Sequence, residues 1–211
     1  MQWRPWALPL MVMSLVAVAA CAESPSDTPG TSDDTDGHGG DTSVAEIIDD
    51  ATAEGVVQVA VVDVGGSEIG QVLLAQHESG TVVEARFWDM EPGYKGFHIH
   101  ESPMCDADAP EGAFTSAGGH YTAGDENHPE HAGDLPPLLV KTDGSAESAV
   151  VTDRFRLDDL TEAGAAVIVH EQPDNQANIP QRYGEADQDT LDTGDAGDRI
   201  ACGTIQPTGD S

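Results

Sequence analysis

Six of the eight histidines fall in patterns that can hold a metal ion. In Gly96-Phe97-His98-Ile99-His100-Glu101, an extended backbone turns alternate side chains to one face. His98 and His100 then point together, and Phe97 and Ile99 point to the opposite, core-facing side. Imidazoles two residues apart on one strand face stand about 6–7 Å apart and can converge on one ion. Alone, the pair is weak evidence and reads more readily as two exposed histidines. A second group follows Gly118-Gly119: His120, His128, His131 and Asp134. Nitrogen and carboxylate donors of this kind suit zinc or copper, and His128 and His131, either side of Pro129-Glu130, can share one ion. The competing reading is a polar loop with chance histidines, which three histidines and an aspartate in so short a stretch argue against. His170 closes the apolar run 165–169 and is followed by Asp174. A carboxylate there can orient ligand imidazoles through their second nitrogens, although a lone histidine at a strand end is more often structural. Arg199 lies three residues before Cys202. A fixed guanidinium beside a metal attracts and orients a small anion; in isolation it reads as a surface arginine paired with a nearby carboxylate.

The elements that must position these residues show a period of two. Strands are expected at 56–64, 69–75, 81–88, 96–101, 138–141, 147–151, 165–170 and 199–205, with turn residues such as Gly65-Gly66 and Ser79-Gly80 between the first of them. Short alternating strands punctuated every 8–12 residues or so suggest an antiparallel sandwich or barrel. Residues 158–163 are expected to form a helical turn at most. Two long irregular segments, 102–137 and 172–198, interrupt the pattern; segments of that length are unusual unless something functional holds them. His77 falls outside every pattern and reads as a surface strand residue.

Among the 211 residues, acidic side chains number 39 and basic ones 8, for a formal net charge of −31. That balance excludes nucleic acid as a partner and an anionic membrane surface as a contact for the body of the protein. Residues 1–21 carry one early charge, Arg4, then an apolar run too short to span a membrane comfortably, ending Val18-Ala19-Ala20-Cys21. This is the layout of a bacterial signal peptide, and its end resembles a lipoprotein signal in which Cys21 is acylated and anchors the chain to the membrane. An ordinary secretory signal is the alternative. Residues 22–50 are rich in Ser, Asp, Gly, Thr and Pro and are expected to be a flexible acidic tether, with His38 a solvated linker residue; the folded domain is placed at 51–207. An exported chain meets oxidising conditions. If Cys21 carries lipid, Cys105 and Cys202 can pair with each other, joining the first long segment to the last strand; two free thiols are the alternative.

Taken together, GFHIHE (96–101), SAGGHY (116–121), HAGDLP (131–136), IVHEQPDN (168–175) and TGDAGDRIACGTI (193–205) resemble the copper/zinc superoxide dismutases, in the family's order and across residues 54–205. ANIPQRY (177–183) is similar to the secreted actinobacterial branch. The resemblance implies an all-β fold, an eight-stranded Greek-key β-barrel of immunoglobulin-like sandwich type, with a metal-binding loop and an electrostatic loop. It implies His98, His100, His120 and His170 as copper ligands, and His120, His128, His131 and Asp134 as zinc ligands, with His120 bridging. Asp174 would connect the two sites, Arg199 would guide the anion, and Cys105–Cys202 would be the intrasubunit disulfide. The implied reaction converts superoxide to O2 and H2O2 as copper is alternately reduced and oxidised, with His120 carrying a proton and zinc keeping it oriented.

Two departures from the family pattern stand out. His128 and His131 are closer in sequence than the corresponding zinc ligands usually are, which would strain a tetrahedral site; some exported relatives work with copper alone. Glu185, Asp187, Asp189, Asp192 and Asp195 dominate the electrostatic loop, so the rate is expected to depend on Arg199 and the metal charge more than on the overall field. The rival reading is a non-catalytic envelope copper-binding or storage protein on the same fold, which makes no demand on Arg199. Family members form monomers and several kinds of dimer; a homodimer is compatible with the sequence, and nothing in it selects one.

Overall fold

The computed structural model describes residues 55–208. The expected signal peptide (1–21), the tether (22–50) with His38, and the acylation candidate Cys21 lie outside the described residues. Within them the chain forms β1 (Val56–Asp63), β2 (Glu68–His77), β3 (Gly80–Phe87), β4 (Gly93–Lys95), β5 (Phe97–His100), β6 (Leu138–Val140), β7 (Ala146–Thr152), α1 (Leu157–Ala163), β8 (Ala165–His170), α2 (Gln188–Thr193) and β9 (Arg199–Ile205). Seven strands make one antiparallel sheet in the order β5-β8-β9-β1-β2-β3-β7, and β4 and β6 pair separately. No helix among the described residues is long and apolar enough to cross a membrane.

The alternation along the first strands builds the core. Val59 and Val61 of β1, Val72 and Leu74 of β2, and Val83, Ala85 and Phe87 of β3 turn inward and are buried together. Gly70 lies opposite Phe87 in the β2–β3 ladder, and a Cβ there would stand 2.2 Å from the Phe87 ring. The missing side chain makes room for that ring, which meets Phe97 edge-on at a centroid distance of 6.0 Å.

β8 is apolar throughout because both of its faces are covered. Ala165, Val167 and Val169 enter the main core, whereas Ala166 and Ile168 join Phe114, Ala117 and Cys202 in a second cluster under the 102–137 segment. β5 pairs with β8, setting His98 opposite Ile168 and His100 opposite Ala166. The histidine face of β5 therefore continues the face that this segment covers. The segment is fastened there by a disulfide between Cys105 and Cys202, with a Cα–Cα distance of 5.7 Å.

The structure corrects three expectations. Nine strands are present among the described residues rather than eight. The addition is β4, three residues of Gly-Tyr-Lys too short to show alternation. Residues 157–163 form a helix rather than a bare turn, begun by the Asp159 carboxylate accepting from the Arg156 N–H at 3.0 Å and ended at Gly164. The 172–198 segment is not wholly irregular. It contains α2, whose start is capped by Asp187 accepting from Thr190 N–H at 3.0 Å, and whose end passes into left-handed Gly194. Asp before a helix and Gly after it are ordinary start and stop signals.

Candidate metal centre

β5 is the platform. Its Ile99 N–H donates to Gly133 O at 2.9 Å, and its Ile99 carbonyl accepts from Tyr121 N–H at 2.8 Å. Both arms of the 120–134 loop are thereby laid against one strand, with isolated bridges pairing His98 with Asp134 and His100 with His120. The approach at Gly133 leaves no space for a side chain, since a Cβ would sit 2.3 Å from Ile99 O. On the other side, the β8–β9 ladder slips between Val169 and His170, so that Val169 faces Ala201 while His170 faces Arg199. Ile200 is the extra residue of this bulge. A strict period of two from outward-facing Cys202 would send Arg199 inward; one extra residue returns it to the face of His170.

Five of the six buried histidines, all but His131, spend one ring nitrogen on the protein. His98 Nε2 and His128 Nε2 donate to the two oxygens of Asp174, at 2.9 and 2.8 Å. His100 Nδ1 donates to Gly118 O and His170 Nδ1 to Gly197 O, both at 3.0 Å. His120 Nδ1 lies 2.7 Å from Asp134 Oδ1. The remaining nitrogens have no hydrogen-bond partner: His98 Nδ1, His100 Nε2, His120 Nε2, His128 Nδ1, His131 Nδ1 and His170 Nε2. Buried polar atoms are almost always satisfied, so this many orphans converging in one place mark a missing common partner.

The ligand atoms fall into two groups that share members. His98, His100, His120 and His170 offer atoms all within 4.8 Å of one another, and so do His98, His120, His128 and Asp134. His131 is absent from the second group, which the sequence reading had not anticipated. Its Nδ1 nevertheless lies 3.1 Å from Asp134 Oδ2, the same distance as His128 Nδ1 from that oxygen. Neither contact has hydrogen-bond geometry at the imidazole. Separations near 3.1 Å are slightly shorter than the edge of a tetrahedron with bonds of about 2.0–2.2 Å, roughly 3.3–3.6 Å. His131 is also the most open of these side chains, 10% exposed against 0% for His128.

Electrostatics set His98, His100 and His170 in ligand form and hold a proton on metal-free His128. Burial lowers His98 to about 4 despite its hydrogen bond to Asp174. Burial, with His98 adding to it, takes His170 to about 3, and burial, His120 and Arg199 hold His100 well below its usual range. All three are neutral near pH 7, as coordination requires. For His128 burial acts downward, but Asp134 and Asp174 outweigh it and raise the group to about 9 in the metal-free state. Burial would raise Asp134 and Asp174, yet hydrogen bonds from the histidines hold both carboxyls well below the usual range.

Arg199 completes the constellation. Its Nη1 donates to Phe114 O at 2.8 Å and its Nη2 to Gly118 O at 2.7 Å, the carbonyl that also receives His100. Among the described residues the side chain pairs with no carboxylate, contrary to the surface-arginine alternative. It lines a hollow with His120, His170, Gly197, Thr193, Asp189 and Asp195. The structure thus brings together His98, His100, His120, His128, His170, Asp134, Asp174 and Arg199, with His131 at the margin.

Several contributors were not singled out. Gly194 covers the Asp174–His128 contact: a Cβ there would lie 2.3 Å from Asp174 Oδ1 and 2.5 Å from His128 Nε2. Buried Lys95 donates to Glu171 O at 2.7 Å, bracing the residue after His170. Arg154 donates to Pro129 O and His131 O. Only Gly194 left a trace, as a glycine in the run 193–205.

Residues 68–205 match the family described as "Copper/zinc superoxide dismutase (SODC)". The chain belongs to the copper/zinc superoxide dismutase family. It is 42% identical over 139 residues to the "Superoxide dismutase [Cu-Zn]" of Mycobacterium tuberculosis, covering 59% of this chain and 58% of the relative. The chain thus spans little more than half the length of that relative. It is 35% identical over 153 residues to the protein of the same name from Pasteurella multocida, covering 67% of this chain and 76% of the relative. Among solved structures, the Cu/Zn superoxide dismutase from Brucella abortus superposes with a TM-score of 0.57 at 30% identity, over 72% of this chain and 99% of that one. The family uses copper and zinc, and the two overlapping donor groups fit a softer, all-imidazole site beside a mixed nitrogen and carboxylate site.

Proposed function

We propose that the protein is a superoxide dismutase. In this reading His98, His100, His120 and His170 hold copper, and His120, His128, His131 and Asp134 hold zinc. The observation that carries the reading is the convergence of six buried, partnerless imidazole nitrogens beside an arginine free of carboxylate partners. Bound copper would supply a one-electron couple and bound zinc a fixed positive charge. The chain's own residues do the rest. Asp174 ties His98 to His128, so one carboxylate fixes the ring orientation in both halves. His120 presents Nδ1 toward Asp134 and leaves Nε2 toward the copper-side histidines, so it can hold and give up a proton at Nε2 while its ring stays in place. Arg199, held by two backbone carbonyls, offers its remaining N–H groups and charge to a small anion at the mouth.

The reading extends to location. Residues 1–21 act as a lipoprotein signal, Cys21 carries the lipid that anchors the chain outside the cytoplasm, 22–50 is a tether, and 51–207 is the catalytic domain. The Cys105–Cys202 disulfide suits an oxidising compartment. Cys21→Ser should move the protein from the membrane fraction to the soluble one.

Arg199→Ala tests the enzyme against a copper-storage protein. Loss of one charge-assisted contact, about 1.5–3 kcal/mol, should lower superoxide turnover and azide affinity about tenfold or more while copper content stays the same. Unchanged turnover and azide affinity would remove the enzymatic role assigned to Arg199.

A further inference from the structure

The turn His128-Pro129-Glu130-His131 must deliver two ligand histidines from a short span. Within it, Glu130 N–H donates to Asn127 O at 2.8 Å, and the turn is tied to α2 through His128 N–H donating to Leu191 O, also at 2.8 Å. That bond fixes the His128 end. At the His131 end the imidazole is partly exposed and lies outside the tight donor group. Behind the turn is a cavity lined by Pro129, Arg154, Leu135, Pro136, Asp174 and Gln176, among others. Side-chain packing leaves that space open, and a polar contact across it can help fix the backbone.

Arg154, just past β7, supplies it. Its Nη1 donates one N–H to Pro129 O at 2.9 Å and the other to His131 O at 3.2 Å. Resting on the proposed zinc site, we propose that Arg154 is a positioning residue that spans this turn and sets where His131 Nδ1 meets Asp134. Among the described residues the guanidinium makes no hydrogen bond to a ligand side chain; it acts through the carbonyl of a ligand residue. One planar group grips two carbonyls two residues apart, which fixes the turn's orientation as well as its distance. The copper-side residues His98, His100 and His170 take their positions from β5 and β8, and the side-chain hydrogen bonds of Arg154 among the described residues go only to Pro129 and His131, so the effect is expected in one half of the centre.

The test uses the full-length protein freed of metal, with Arg154→Ala and Arg154→Lys. Zinc affinity is read by competition with a chromophoric chelator, and ligand geometry by visible absorption of Co(II) placed in the zinc half. Copper affinity and the thermal midpoint of the metal-free protein are the controls. Loss of an outer partner of a metal site typically costs about 10–100-fold in affinity. Arg154→Ala should therefore weaken zinc at least about tenfold, alter the Co(II) bands and leave copper affinity unchanged. Lysine, whose rotatable ammonium lacks the guanidinium's fixed plane, should recover part of the loss. Equal zinc affinity and identical Co(II) bands in wild type and Arg154→Ala would overturn the inference, as would a lowered thermal midpoint with no change in either. If wild type itself takes up neither Zn(II) nor Co(II) at this half, the zinc reading fails and the inference with it.

Discussion

Asp189 and Asp195 line the same hollow as Arg199, in a chain whose formal net charge is −31. On the proposed activity, a superoxide anion approaching this mouth would be repelled by carboxylates before it meets the guanidinium. At about 8 Å in water, one such carboxylate costs an anion roughly 0.5 kcal/mol; two cost about 1 kcal/mol, a factor of about five in encounter. At about 10 mM salt the Debye length is about 30 Å and this repulsion is felt in full, whereas at 150 mM it is about 8 Å and most of it is screened. Arg199 sits half-buried against Phe114 O and Gly118 O, where screening is weaker. Dismutation should therefore speed up about two- to fivefold between these salt concentrations, opposite in sign to enzymes that attract their substrate. Asp189→Asn removes an exposed charge outside the donor groups. It should raise the low-salt rate about twofold and flatten the salt dependence. Stopped-flow superoxide decay in an inert salt reads both. A wild-type rate that falls with added salt, or an Asp189→Asn curve that superimposes on wild type, would refute the reasoning.

Three further outcomes follow from the geometry. Gly194→Ala would drive a methyl into the Asp174–His128 contact and place alanine at a φ of 62°; zinc affinity measured by chelator competition should fall about 10–100-fold. Removing the disulfide by Cys202→Ala should cost about 3–5 kcal/mol in denaturant unfolding, since the bond spans 97 residues, and reductant should then have no additional effect. In the metal-free protein, His98 and His170 titrate near 4 and 3 when folded but near 6.5 when unfolded. The unfolded chain therefore binds protons first, and stability is lost as pH falls from about 6.5 toward 4. His128, raised to about 9, contributes in the opposite sense, with stability fully present below 6.5 and lost as pH rises through 9. Thermal midpoints of metal-free protein across pH 4–10 should peak near 6–7; a flat profile would contradict the assigned burial.

The strands were legible because their chemistry is local. His98 and His100 alternate with Phe97 and Ile99, and period two alone sets the histidines on one face. The Val and Ala runs of β1 and β8 mark buried strands in the same way. What escaped the sequence depends on long-range contacts. β4 is three residues whose pairing with β6 is set by the strands around it. The facing of Arg199 depends on the bulge at Val169/His170, which no alternation in 199–205 reveals. Arg154 and Lys95 act through backbone carbonyls far along the chain, so no motif marks them. α2 was legible in principle, since Asp187 and Gly194 bracket it, but its acidic polar residues carry no apolar stripe.

The central claim is that the partnerless nitrogens of these six histidines hold two metals that dismute superoxide. Its most direct test is a titration of the metal-free, full-length protein with Cu(II) and Zn(II), followed by metal counting and superoxide decay on the same sample. One copper and one zinc per chain, with superoxide consumed only once copper is bound, is the predicted result. Bound copper without superoxide consumption, or no tight copper at all, would contradict it.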